Sequence, residues 1–223
     1  MNFRRWNKRN LLARIVPNRI KWFDRINDNA DFVRVRRRFD DLPQCAERFQ
    51  MYDQLSALVG SLPVDYLEFG VWRGESIGRW SKLLSNANSR LFGFDTFSGL
   101  PEDWIADHPK GTFDVHGKLP SIADPRVQFY PGLFQATLSP FLDLFERQAQ
   151  LIVHIDCDIY SATLYVLAAL NPILKRGDIL IFDDFHSVEH EFYAFFDFVR
   201  AFYRNWTPLA AVSRCTSVAV RLE

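Results

Sequence analysis

The sequence is poor in cysteine, has no long apolar run and carries no net charge. Its three cysteines are an odd number and cannot all pair in disulfides, which favours a reducing, cytoplasmic location. No stretch approaches the ~18 consecutive apolar residues of a membrane span. Arg14, Arg19 and Lys21 interrupt the apolar residues near the N-terminus, so we expect no secretion signal there. These absences argue against a membrane-spanning protein and against a disulfide-rich secreted domain.

Large apolar side chains are, by contrast, abundant. Hydrophobic residues make up 48% of the 223-residue chain, which includes 21 phenylalanines and six tryptophans. This composition excludes a disordered or low-complexity protein, and a chain of this length can bury a core of its own. We therefore expect one globular domain.

The zero net charge hides an uneven distribution along the chain. The first 40 residues carry twelve Arg or Lys against four Asp, a net charge of +8, which leaves −8 for the remainder. Apolar residues recur in this segment at helical intervals, interrupted at Pro17. We predict a basic helical arm (residues 1–42) before a main domain (residues 43–223). The arm is suited to capping the domain, to packing on a second copy in a homo-oligomer, or to peripheral contact with an anionic membrane.

Beyond the arm, short apolar runs alternate with helical stretches. The predicted helices are Pro43–Leu62, Glu75–Ser85, Leu138–Gln148, Ala162–Leu174 and Glu191–Tyr203. The predicted strands are Val64–Gly70, Arg90–Asp95, Val127–Tyr130, Gln150–Asp156, Ile179–Phe182, Leu209–Arg214 and Ser217–Leu222. This alternation predicts an α/β fold with a mostly parallel seven-stranded sheet, helices on both faces and a C-terminal antiparallel hairpin.

A glycine-containing segment, EFGVWRG (residues 68–74), follows the first predicted strand. Gly70 permits a tight turn, and Gly74 lets a ligand approach the start of the next helix. A carboxylate at Glu68 suits an amine-bearing ligand such as the methionyl end of S-adenosylmethionine. Asp95 ends the second strand, where a carboxylate can accept hydrogen bonds from a ribose diol. Each could be an ordinary turn residue, but together they predict an adenosine-type cofactor.

Acidic residues follow two strongly apolar strands. Asp156 comes after one of them, and Asp183 and Asp184 come after the other. Carboxylates gathered against apolar strand ends are unfavourable unless they are paired or bind a cation. Oxygen donors without a Cys/His pattern favour Mg²⁺ over Zn²⁺. We predict a magnesium site at these three residues, although a single acid such as Asp158 could instead cap a helix.

Four segments resemble the macrocin O-methyltransferase family. They are GFDTFSGLP (Gly93–Pro101), PGLFQATL (Pro131–Leu138), HIDCDIYSAT (His154–Thr163) and ILIFDDF (Ile179–Phe185). The resemblance implies a Rossmann-like class I methyltransferase fold for the main domain, with S-adenosylmethionine and Mg²⁺ as cofactors. It implies that Asp156, Asp183 and Asp184 hold the metal. The cofactor-binding residues that follow from it are Glu68, Gly70, Gly74, Ser76, Asp95, Thr96, Gly132 and Phe134.

Methyl transfer to an alcohol near pH 7 requires that the hydroxyl be deprotonated. We predict His186 and Asp156 as catalytic residues, with His186 as the base because an imidazole titrates near the working pH. The alternative for His186 is a surface histidine without a catalytic role. The Gly/Pro-rich stretch 99–126 is long enough to predict an active-site lid, whose Trp104 and Phe113 could stack on an acceptor ring.

The function predicted from these features is Mg²⁺-dependent O-methylation of a small, sugar-containing acceptor. Residues 185–191 read FHSVEHE, without the glycine and basic residues typical of the family after the paired aspartates. A catalytically inactive cofactor-binding regulatory protein therefore stays open, as does a membrane-associated methyltransferase that uses the basic arm. We expect no nucleic-acid partner, because the main domain is acidic and has no recognition motif.

Overall fold

Strands that are buried along almost their whole length form the middle of the sheet. Val64–Phe69 and Ile179–Phe182 are buried at every residue, and Gln150–Ile155 at all but the first. Such strands are typical of a parallel sheet that is covered on both faces. The computed structural model describes residues 30–223, so most of the predicted arm lies outside the described residues.

Within residues 30–223, eight strands form one sheet in the order β1-β7-β8-β6-β5-β2-β3-β4. They are β1 (Gln44–Cys45), β2 (Val64–Phe69), β3 (Arg90–Asp95), β4 (Val127–Pro131), β5 (Gln150–Ile155), β6 (Ile179–Phe182), β7 (Trp206–Val212) and β8 (Val218–Leu222). Only the pairings of β8 with β6 and β7 are antiparallel, which confirms the mostly parallel sheet and the C-terminal hairpin. The predicted count of seven strands is wrong by one, because the two-residue β1 is too short to give an apolar pattern.

The helices are α1 (Arg48–Val59), α2 (Glu75–Leu83), α3 (Phe134–Leu144), α4 (Tyr160–Leu170) and α5 (Tyr193–Ala201). Helix α1 begins five residues later than predicted, because Gln44 and Cys45 are in β1. Helix α3 begins four residues earlier than predicted and contains Pro140 in its interior. A π-helical turn, Val188–Phe192, precedes α5. No helix among residues 30–223 is long and apolar enough to cross a membrane.

The strand order places a crevice at one edge of the sheet. Strand β2 lies between β3 and β5. The chain adds β3 and β4 on one side of β2 and then crosses to the other side to form β5, so the strand order reverses at β2. The register aligns Phe69 with Ile155 and Ile155 with Phe182, so the segments after β2, β5 and β6 emerge together. In open α/β sheets, ligands bind outside the carboxyl ends of the strands where the order reverses.

The described end of the predicted arm packs on the main domain. Residues 30–36 are helical and lead into a 3₁₀ turn, Arg37–Phe39. Val35 and Phe39 are buried in the same apolar cluster as β5 and β6. The Phe39 ring stacks on Trp206 at a centroid distance of 6.0 Å, and the Arg38 guanidinium lies 3.6 Å above the Trp206 ring.

Candidate functional site

A cleft opens between the ends of β2 and β5, at the crevice that the strand order creates. One wall is the segment between β2 and α2, together with the residues after β3. The other wall holds acidic residues that follow β5 and β6, and the loop after β3 contributes aromatic rings. The lining includes Arg48, Gly70, Ser76, Asp95, Thr96, Trp104, Phe113, Phe134, Asp156, Asp158 and Asp184.

Gly70 is required by the packing of β2 against β5. Its φ is +92°, and a Cβ atom there would lie 1.7 Å from the backbone oxygen of Asp156. No side chain fits without moving the acid-bearing segment. Gly74 is the N-cap of α2 at φ +79°, and a Cβ there would meet Pro120 at 2.6 Å.

The Asp95 carboxylate holds the loop that follows β2. Its Oδ2 accepts hydrogen bonds from the backbone N–H groups of Val71 (2.8 Å) and Trp72 (2.7 Å). Its Oδ1 accepts one from the N–H of Phe97 at 2.7 Å. Asp95, which the sequence predicts to bind a ribose, thus fixes the backbone on both sides of the cleft wall formed by the segments after β2 and β3.

Five of the eight predicted cofactor residues line the cleft: Gly70, Ser76, Asp95, Thr96 and Phe134. Gly74 and Gly132 do not line the cleft, but both have a positive φ and shape the backbone of the turns next to it. Gly132 sits at φ +139° and donates its N–H to the Asp95 carbonyl at 2.8 Å.

Glu68 lies behind the cleft in a buried polar network. It is fully buried, and its Oε2 accepts a hydrogen bond from the Tyr66 hydroxyl at 2.5 Å. The same oxygen is 3.4 Å from Nδ1 of His154, and Oε1 has no hydrogen-bond partner. Glu68 is thus not brought into contact with the cleft that the sequence predicts it to line.

Asp183 belongs to that buried network as well. Its carboxylate accepts hydrogen bonds from the Tyr52 hydroxyl (3.0 Å) and from Arg48 (3.0 Å), and lies 3.4 Å from Nε2 of His154. Burial alone lowers the pKa of His154, but Asp183 and Glu68 raise it to about 10. Burial alone would raise the pKa of Asp183, yet His154 and Arg48 hold it below its usual value. Asp183 is therefore ionised and paired.

Three other acids form a cluster at the cleft. Asp156, Asp158 and Asp184 each offer a carboxylate oxygen within 4.8 Å of the others. Burial and the charge of Asp183 raise the pKa values of Asp156 and Asp184. Burial and Asp184 raise the pKa of Asp158 to about 8. Mutually repelling carboxylates with oxygen-only donors have the chemistry that a hard divalent cation neutralises.

The structure divides the acids predicted to bind metal. Asp156 shares one possible ligand group with Asp158 and Asp184, and another with His154 and Asp183. The sequence signal for Asp158, an acid before a helix, is the same as for an ordinary cap. In the structure, Asp158 has a φ of +63° and lines the cleft. Among the described residues, no side-chain hydrogen bond caps the start of α4.

Arg48 had no signal in the sequence. It lies in the first turn of α1, and its guanidinium reaches Asp183 (3.0 Å), Glu75 (3.2 Å) and Asp156 (3.8 Å). It is the only Arg or Lys in the cleft lining, as far as the described residues 30–223 show.

His186 lies outside the cleft lining. Its side chain is 52% exposed, and Nδ1 is 4.0 Å from Oδ1 of Asp184. Trp104 and Phe113 of the loop 99–126 do line the cleft, and Phe113 makes an edge contact with Trp72 at 5.6 Å.

Comparisons with known proteins agree with this architecture. The family model of Macrocin-O-methyltransferase (TylF) matches residues 30–216. The chain is 31% identical over 173 residues to mycinamicin III 3''-O-methyltransferase of Micromonospora griseorubida, covering 67% of this chain and 63% of that protein. It is 28% identical over 175 residues to 8-demethyl-8-(2,3-dimethoxy-alpha-L-rhamnosyl)-tetracenomycin-C 4'-O-methyltransferase of Streptomyces olivaceus, covering 67% and 60%.

The chain thus spans less than two thirds of the length of these two curated relatives. Among solved structures, it is similar to the calicheamicin methyltransferase CalS11, with a TM-score of 0.63 and 26% identity over 79% of this chain and 80% of that one. The fold is that of the class I methyltransferases, and the family match covers the whole cleft. The chain therefore belongs to the macrocin O-methyltransferase family.

Proposed function

We propose that this protein is an S-adenosylmethionine- and Mg²⁺-dependent O-methyltransferase that acts on a hydroxyl group of a small, sugar-containing acceptor. The observation that carries the proposal is the cleft itself. It joins a glycine loop held by Asp95 to a cluster of carboxylates, Asp156, Asp158 and Asp184, within 4.8 Å of one another. The names of the two curated relatives describe O-methylation, in one case of a rhamnosyl compound.

The charges of the cleft suit S-adenosylmethionine. Its sulfonium and ammonium groups are positive, and the lining is rich in carboxylates. Its one carboxylate needs a cationic or N–H donor partner, and Arg48 is the cation that the lining offers. Ser76, in the first turn of α2, lines the same wall. We assign the carboxylate of the cofactor to Arg48.

The acid cluster suits Mg²⁺, which prefers oxygen ligands. When bound, the ion lowers the pKa of the acceptor hydroxyl and orients its oxygen. Asp156 and Asp184 belong both to the predicted metal set and to the cluster at the cleft. Two residues compete for the third carboxylate of the site. Asp158 groups with Asp156 and Asp184, whereas the sequence predicts Asp183. A titration of Mg²⁺ into Asp158→Asn and Asp183→Asn compares them, because removal of a ligand should weaken binding more than the roughly 10–100-fold that removal of a residue that only orients ligands costs.

Asp156 is the better placed of the two predicted catalytic residues. It lines the cleft, within reach of an acceptor bound there, and a positioned carboxylate can act as a general base. His186 is half-exposed and outside the lining, so its role as a base stays a prediction. We propose that Asp156 accepts the proton of the acceptor hydroxyl.

The aromatic rings of the loop 99–126 shape the side of the cleft where an acceptor would lie. Trp104 stacks on His108 at 5.2 Å, and His108 stacks on Phe113 at 5.4 Å. Flat rings of this kind pack against the apolar faces of a sugar. We propose this stack as the acceptor-facing wall.

The direct test measures cofactor binding and methyl transfer separately. S-adenosylhomocysteine is titrated by calorimetry, and methyl transfer to a panel of glycosylated acceptors is followed by mass spectrometry, with Mg²⁺ or with EDTA. The matching aglycones are the control acceptors. We expect binding, and transfer that requires both the sugar and Mg²⁺. Absence of binding contradicts the proposal, whereas binding without transfer to any acceptor supports a regulatory protein instead.

A further inference from the structure

Glu191 is a buried carboxylate outside the cleft that contacts both acid-bearing segments. It lies in the π-helical turn Val188–Phe192 and is fully buried. Its Oε1 accepts hydrogen bonds from the N–H groups of Cys157 (3.0 Å) and Asp158 (3.3 Å). Its Oε2 accepts one from the N–H of Asp184 at 3.1 Å. One side chain thus joins the segment after β5 to the segment after β6.

Few other backbone contacts hold these two segments together. The last bond between β5 and β6 runs from the N–H of Asp183 to the carbonyl of Ile155 at 3.1 Å. The N–H of Asp156 is directed to β2, where it donates to Phe69 at 2.9 Å. Beyond that point, the amides of Cys157, Asp158 and Asp184 all depend on Glu191. Glu191 therefore accepts hydrogen bonds from both segments beyond the point where β5 and β6 are paired.

A carboxylate at this position is unfavourable for packing alone. Burial and the charges of Asp184, Asp156 and Asp158 raise the pKa of Glu191. Its neighbour Phe192 is an ordinary core residue, with its ring 5.4 Å from Phe185. An apolar residue at position 191 would avoid the repulsion but would leave the N–H groups of Cys157, Asp158 and Asp184 without this acceptor.

We propose that Glu191 is a positioning residue that sets the distance between Asp184 and the Asp156–Asp158 segment, and thereby the geometry of the cation site. The metal part of this inference rests on the proposed function. The π-helical turn contributes by holding Glu191 against both segments, while Phe192 anchors the turn between Phe185 and Phe32. Such turns occur frequently at functional sites.

Glu191→Gln is the test variant, because it keeps one oxygen acceptor and replaces the other by an N–H donor. The amide cannot accept from both segments at once, so one connection is lost. The matched control is Asp178→Asn. Asp178 is also fully buried, and it accepts N–H bonds from Leu151 (3.1 Å) and Lys175 (2.7 Å) at the opposite ends of β5 and β6.

Three measurements are made on both variants: the thermal midpoint, Mg²⁺ affinity by calorimetry, and amide hydrogen exchange. We expect both variants to unfold at a lower temperature. Only Glu191→Gln should weaken Mg²⁺ binding, by about 10–100-fold, as for other residues that orient metal ligands. Only this variant should lose exchange protection at Cys157, Asp158 or Asp184. S-adenosylhomocysteine affinity should stay within about threefold in both, which shows that the cofactor side is intact.

Equal Mg²⁺ affinity of Glu191→Gln and wild type, with protection retained at the three amides, would overturn the inference. So would an equal loss of Mg²⁺ affinity in Asp178→Asn, since the effect would then be one of general stability. If wild type binds S-adenosylhomocysteine but no Mg²⁺, the metal part of the proposed function fails, and the amide exchange alone decides the role of Glu191. Glu191→Asp, which keeps the carboxyl group but shortens the reach, replaces Glu191→Gln if that variant does not fold.

Discussion

At the scale of single residues, the site depends on which carboxylates are paired and which are not. Asp183 is paired with Arg48 at 3.0 Å and hydrogen-bonded by Tyr52, whereas Asp156 lies farther from Arg48, at 3.8 Å, and groups with Asp158 and Asp184. The sequence places all four acids at strand ends but contains no signal for this division. It depends on Arg48 and Tyr52, which come from a helix more than a hundred residues earlier in the chain.

Arg48 should contribute to the binding of cofactor analogues that carry the amino-acid carboxylate and not to the binding of those that lack it. Arg48→Ala should weaken binding of S-adenosylhomocysteine by at least about tenfold, since a charge-assisted hydrogen bond contributes roughly 1.5–3 kcal/mol. Binding of 5'-methylthioadenosine, which lacks the amino-acid end, should change little. Arg48→Lys should recover part of the loss. An equal loss for both ligands would show that Arg48 acts through the fold instead.

The raised pKa of Asp158 predicts a pH dependence of stability. An acid with a pKa of about 8 in the folded protein and a normal value in the unfolded chain keeps its proton only when folded. Stability without metal should therefore fall as the pH rises from about 4 to about 8. Thermal midpoints across this range should show the decline, and Asp158→Asn should reduce it, because Asp156 and Asp184, whose pKa values are also raised, still contribute. Added Mg²⁺ should remove the decline at high pH, and a wild-type curve unaffected by Mg²⁺ would contradict the cation site.

At the scale of elements, the strand bounds are predicted unevenly, since β7 (Trp206–Val212) begins three residues and ends two residues before the predicted Leu209–Arg214. The bounds of β3 and β6 agree with the prediction at both ends, because each is a short apolar run between polar residues. Helix α3 begins at Phe134, after the extended Leu133, which is four residues before the predicted start, and Pro140 lies inside both the predicted and the observed helix. The π-helical turn with Glu191 had no signal, since its acids resemble a solvated helix face.

Gly70 is the element-scale feature with the clearest expected cost. Gly70→Ala introduces both a strained φ and a collision with the carbonyl of Asp156, whereas Gly177→Ala introduces only the strain, at φ +94° with no atom within 4 Å. The control should lose about 1–3 kcal/mol of unfolding free energy. Gly70→Ala should lose clearly more, and S-adenosylhomocysteine binding with it. Urea denaturation and calorimetry measure both, and equal losses would mean that the β2–β5 approach is looser than the structure shows.

At the scale of the whole molecule, the sequence predicted the sheet and the edge that carries the cleft. Parallel strands place their carboxyl ends together, so Asp95, Asp156 and Asp184 could be assigned to one edge from their position alone. The directions of the side chains could not be assigned. Glu68 and Asp156 are both acids near the carboxyl end of a strand, yet Glu68 points into a buried network and Asp156 lines the cleft. Packing across the sheet decides this, and it is not encoded in local pattern.

The boundary between the predicted arm and the main domain is also a property of the whole molecule. Phe39 is fully buried and contacts Phe185, the residue after Asp184, at 6.3 Å. If this end of the arm belongs to the domain core, Phe39→Ala should lower the unfolding free energy by about 3–5 kcal/mol in a single cooperative transition. Val33→Ala, at a site 39% exposed, is the control and should change it by much less. Denaturation is followed both by tryptophan fluorescence and by far-UV circular dichroism. A small loss for Phe39→Ala, or an early separate transition, would place the boundary near residue 43 as the sequence predicts.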